Sequence, residues 1–105
     1  MTNTREEQMI IANEILSQLG QHFTVMTGAK NLLALNSGLQ FSLPGRIGKS
    51  GINSVRIVLN SMDTYDVTFY HIAGVNVREV AQHEGIYNDM LKNTFETETG
   101  LFTSL

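Results

Sequence analysis

The 105-residue chain has no cysteine, no tryptophan and a single proline, Pro44. Without thiols there is no disulfide framework, no Cys-based zinc site, no thiol redox chemistry and no cysteine nucleophile. A chain of this length buries roughly 65% of the surface of its unfolded state, enough to be stable with neither a disulfide nor a metal. Apolar runs never exceed a few residues and the opening stretch Met1-Thr2-Asn3-Thr4-Arg5-Glu6-Glu7 is polar. Neither a membrane span nor a signal peptide has that pattern, so the expectation is a cytoplasmic protein of one domain, residues 1–105, with no membrane partner.

Charge is also scarce. Seven bases and ten acids give a net charge of −3, and charged residues make up 16% of the chain, against about 25% in an average domain. Asn, Thr, Ser and Gln supply the polarity instead, and a surface of that kind repels itself weakly, so a homodimer is among the expected states. Acids are absent between residues 21 and 62, where Lys30, Arg46, Lys49 and Arg56 stand, whereas residues 63 to 105 hold seven acids and two bases. The basic segment is a candidate anion-facing edge, although four cations are few for a nucleic-acid surface, which neutralises several phosphates.

The pattern that is present reads as α+β. Thr4 and Glu7 have capping-box spacing, and Met9, Ile11, Ala12, Ile15, Leu16 and Leu19 recur at helical intervals up to Gly20, which predicts a helix over 4–19. Phe23 and Val25 alternate with His22, Thr24 and Met26, predicting a short strand that ends at Gly28. Residues 29–38, bounded by Asn and Gly, predict a helical turn or irregular loop. Leu39, Phe41 and Leu43 alternate as a second strand up to Pro44. Beyond the loop from Gly45 to Gly51, a third strand sets Val55, Ile57 and Leu59 against Ser54, Arg56 and Val58. Asn60 to Asp63 is a turn, a fourth strand covers about 64–72, and a fifth follows Ala73-Gly74 over 75–80. Ile86, Tyr87, Met90, Leu91 and Phe95 predict a second helix reaching Thr99 and stopped by Gly100, and the apolar tail from Leu101 to Leu105 is expected to dock.

The expected architecture is therefore an N-terminal helix, an antiparallel meander of four to five strands and a C-terminal helix. Both helices lie on one sheet face, because each has one apolar stripe to bury. No internal repeat is apparent. The opposite face would carry His22, Thr24, Met26, Gln40, Ser42, Arg56, Val58, Thr68, Tyr70 and Ile72. That mixture is neither a core face nor a fully polar one, which makes it a candidate contact surface for a partner or a second copy.

Motifs with chemistry are weak. Gly48-Lys49-Ser50 resembles the end of a phosphate-binding loop, but the first glycine of that motif would fall on Leu43, and a strand follows where the motif needs a helix. His22, His71 and His83 form no close pair, and a zinc-protease helix would need a second histidine at Tyr87, so no metal is expected. Asp63, Asp66, Glu79, Glu84 and Asp89 offer carboxylates for acid–base work only if two converge in one pocket. The order helix, strands, helix also matches a double-stranded-RNA-binding module, but that module presents bases at its second helix. Here the region carries Glu79, Glu84, Asp89, Glu96 and Glu98 against Arg78 and Lys92.

The stretches Gln18-Leu19-Gly20, Phe23 to Asn31, Leu39 to Pro44, Gly51 to Ile57, Tyr65-Asp66-Val67 and Thr99 to Leu105 span nearly the whole chain. Together they resemble a family of small, uncharacterised proteins of bacteriophages and bacterial mobile elements. The resemblance implies no activity. His22 and Ser42 stand where relatives tend to have arginine, which weakens any anion-binding role implied for that face.

The leading expectation is a non-enzymatic accessory protein in the cytoplasm of a bacterial host. It would bind a host or viral protein, inhibit a defence nuclease, and need no cofactor. Its contact residues are Lys30, Arg46, Lys49, Arg56 and Tyr70. The alternative is a nucleic-acid-binding accessory domain using the basic region 30–56. A weaker third is a small enzyme using Asp63, Asp66 or His71.

Overall fold

The computed structural model describes residues 5–44, 51–101 and 103. Helix α1 (Arg5–Leu19) buries Ala12, Ile15 and Leu19, a stripe with spacings of three and four residues, and places Glu6 and Glu7 in its first turn, where carboxylates complement the helix dipole. Its last turn closes on the Gly20 amide, which donates to the Leu16 carbonyl at 3.1 Å.

Phe23–Thr27 is not the expected strand but a short helix, α2. Phe23 and Thr27, four residues apart, are both buried, whereas Val25 is 82% exposed. A strand would have put Phe23 and Val25 on one face, and a helix sends them to opposite sides. Over five residues the two periodicities give the same apolar letters, and only the partner surface separates them.

Residues 29–38 also differ from expectation: Lys30–Ala34 forms strand β1 at the sheet edge, and Leu35 to Ser37 turn the chain back into β2 (Gly38–Ser42). A register shift between Lys30 and Leu33, with Asn31 at φ 56°, breaks the alternation that would have marked a strand. Strands β3 (Ser54–Leu59), β4 (Tyr65–Ala73) and β5 (Asn76–Ile86) complete an antiparallel sheet in the order β1-β2-β3-β4-β5. The fifth strand thus runs well past the expected residue 80. Two register shifts against β4 let Val80, Ala81 and Ile86 all pack against the core.

The expected second helix starts later than Ile86, which ends β5. A 3-10 turn (Asn88–Met90) leads into α3 (Leu91–Thr99), with Leu91, Phe95 and Thr99 buried at intervals of four. Leu101 and Thr103 are buried as well, so the tail docks as far as it is described; the Glu96 carboxylate accepts from the Thr103 amide at 2.8 Å and its hydroxyl at 3.0 Å.

Helices α1 and α3 cover one face of the sheet. The core joins Ala12, Ile15 and Leu19 of α1 and Leu91 and Phe95 of α3 to Leu39 and Phe41, Val55 and Ile57, and Tyr65, Val67 and Phe69 of successive strands. At its centre Phe23 meets Phe41 and Phe95 edge-on, with ring centroids 5.0 Å and 5.3 Å apart. This contact seats α2 against the sheet. The architecture is α+β: an N-terminal helix, a five-stranded antiparallel open sheet and a C-terminal helix.

Candidate functional site on the open sheet face

Opposite the helices, the strand registers assemble a polar row. Gln40 lies across from Arg56, which lies across from Thr68, while Ser42, Ser54 and Tyr70 form the next row and Ile72 pairs with Val77. Alternation sends these side chains away from the core because their neighbours Phe41, Val55, Ile57 and Phe69 point into it.

Arg56 is fixed from two sides. The Gln40 Oε1 accepts from its Nε at 3.1 Å and from its Nη2 at 3.0 Å. The guanidinium carbon lies 5.8 Å from the centroid of the Tyr70 ring, a cation–π distance. A hollow of about 170 Å³ opens beside it, lined by Gln40, Ser54, Arg56, Tyr70, Ile72 and Val77. A second hollow, about 280 Å³, shares Ser54 and Ile72 and brings in Lys30, Asn31, Ser42 and Asn53. Asn53 holds its rim as a false strand residue: its side chain donates to the Ile72 carbonyl and accepts from the Ile72 amide, each at 2.8 Å. Among the described residues neither Lys30 nor Arg56 is paired with a carboxylate.

Of the contact residues expected from sequence, the structure brings together Arg56, Tyr70 and Lys30. Lys30 comes from the edge strand β1 and not from a loop. Arg46 and Lys49, with the Gly48-Lys49-Ser50 motif, lie outside the described residues. His22, Thr24 and Met26 are not on this face, since they belong to the α2 region. The pairing of His22 with Arg56 on one surface is therefore corrected. Sequence reasoning missed Asn53 and Val77. Asn53 lies one residue before β3 and joins the face through its side-chain bonds to Ile72, which no alternation marks, and the unread pairing of Ile72 with Val77 hid the second.

Asp66 and the three histidines, elsewhere in the fold, have structural partners. The Asp66 Oδ1 accepts from the Asn60 side chain at 3.0 Å and the Gly85 amide at 3.2 Å, stitching the β3–β4 turn to the end of β5. The hollow that Asp66 and Glu84 line, about 590 Å³, does not include His71. The His71 Nδ1 donates to the Gly51 carbonyl at 2.6 Å, His22 lies beside Gln21, and His83 pairs with Glu98 at 3.0 Å, so the three imidazoles remain on separate elements. Burial raises the Tyr65 phenol above its ordinary pKa, with the Glu14 and Asp63 carboxylates adding to the shift.

Among the described residues no three His, Asp or Glu side chains group to hold a metal ion, and no helix is long and apolar enough to cross a membrane. Compared with known proteins, the chain matches no protein-family profile, no curated protein and no solved structure.

Proposed function

We propose that the chain is a non-enzymatic accessory protein that binds another protein through the open face of its sheet. The observation that supports this most is Arg56, oriented by Gln40 and Tyr70 on an uncovered face yet without a carboxylate partner among the described residues. A side chain anchored in this way loses little freedom on binding, which is the property of an interface anchor. Exposed Ile72 and Val77 border it and supply apolar contact. The resemblance to small proteins of bacteriophages and mobile elements makes a host or viral protein the proposed partner. Inhibition of a defence nuclease in the bacterial cytoplasm is the proposed consequence.

Nucleic-acid binding is the second reading, favoured by Lys30 and Arg56 lining adjoining hollows. A tagged pull-down from a nuclease-treated bacterial lysate separates the two. The proposal expects a protein retained in stoichiometric amount by the wild type and by Val25→Asp on α2, but lost with Ile72→Asp on the open face. Retention that vanishes with nuclease and falls steeply with salt would transfer the function to nucleic acid.

A further inference from the structure

We infer that the hollow beside Arg56 is a carboxylate subsite, and that the open face receives a glutamate or aspartate of its partner flanked by aliphatic residues. This rests on the protein-binding reading above and adds the chemistry of the partner. A guanidinium has five N–H donors. The bonds to Gln40 use the Nε donor and one on Nη2, at 3.1 and 3.0 Å. Of the remaining three, one on Nη1 and one on Nη2 run parallel as the end-on fork, whose spacing matches the two oxygens of a carboxylate. Gln40 and Tyr70 hold the plane of the group, so the fork is set before a ligand arrives.

The surroundings select among anions. The hollow of about 170 Å³ has room for a single acidic side-chain head, and two of its six lining residues, Ile72 and Val77, are aliphatic and exposed. Lys30 in the adjoining hollow places a second positive charge alongside, and among the described residues no acid lines either hollow, the acid in the adjacent register being Glu79 across from Tyr70. In a chain of net charge −3 this is a local patch of the opposite sign. A phosphate chain needs a row of cations, whereas an acidic residue between aliphatic ones needs one fork with apolar walls.

The test is a two-dimensional NMR titration of the labelled protein with the capped peptide acetyl-Leu-Glu-Val-amide, observing backbone amides and the Arg56 Nε–H. Saturable shifts are expected at Arg56, Ser54, Tyr70 and Ile72, absent with the Leu-Gln-Val peptide. Arg56→Lys, which keeps the charge and loses the fork, should weaken binding about tenfold or more. Equal binding by Arg56→Lys, equal shifts from the glutamine peptide, or tighter binding of inorganic phosphate at the same residues would overturn the subsite. If Arg56→Lys also leaves pull-down of a protein partner intact while Ile72→Asp abolishes it, the subsite fails and the protein-binding reading stands. If neither variant affects retention, that reading falls as well.

Discussion

Gly38 opens β2 where no other residue fits. A Cβ there would overlap the Ile57 carbonyl oxygen and lie 2.9 Å from the Val58 Cα, so the obstruction is backbone and cannot rotate away. Gly38→Ala should therefore push β3 from its register and lower stability by about 1–3 kcal/mol, the usual range for overpacking. Urea denaturation reads this directly, and an unchanged midpoint would contradict it. Tyr65 gives a second residue-scale expectation. Its phenol is raised by burial first and by Glu14 and Asp63 second. Below about pH 10 the folded and unfolded chains both hold this proton, and Tyr65 contributes its full stabilisation. Above that value the unfolded chain releases the proton first, so stability falls as pH rises through the folded pKa. Melting temperatures above pH 10 should fall more steeply in the wild type than in Tyr65→Phe; parallel curves would count against the assignment.

Among the elements, α2 and α3 end in the same way. Phe23-Thr24-Val25-Met26-Thr27-Gly28 and Phe95-Glu96-Thr97-Glu98-Thr99-Gly100 share the pattern Phe-x-x-x-Thr-Gly, a short repeat that a search for long periods passes over. In each, the threonine hydroxyl donates to the phenylalanine carbonyl and accepts the amide two residues on, and the glycine sits at φ 73°. The hydroxyl thus satisfies groups that a helix end leaves orphaned. Thr99→Val keeps the shape and leaves the Leu101 amide without its acceptor, which should cost about 1–3 kcal/mol in thermal or urea unfolding. A neutral result would show that water or a shifted backbone replaces it. This pattern was the available signal for α2, since Gly100 was legible as a helix stop and Gly28 follows the same spacing. β1 carried no comparable signal. Its exposed leucines and the irregularity at Asn31 remove the period-two pattern, and its place in the sheet comes from pairing with β2. Strands β2, β3 and β4 were legible because one face of each is buried, and that alternation also put Arg56 and Tyr70 on one surface.

For the whole molecule, packing the helices on one face leaves the other uncovered by the described residues. The cations of the acid-free segment meet there, Lys30 from β1 and Arg56 from β3, with Glu79 of β5 across from Tyr70 at the border, while Glu96 and Glu98 lie on α3. Because the net charge is −3, long-range attraction does not steer an acidic partner, and binding depends on contacts within roughly a Debye length of ~10 Å. Complex formation should accordingly weaken only gently with added salt, unlike a nucleic-acid complex. How the two hollows join was not legible in sequence, because it depends on strand register and on Asn53 closing the rim. The most direct test of the open face is amide-shift mapping of the labelled chain as the captured partner is added. Perturbations concentrated at Gln40, Ser54, Arg56, Tyr70 and Ile72, with α1 unchanged, are the predicted result; a footprint on α1 and α3 with β3 silent would contradict it.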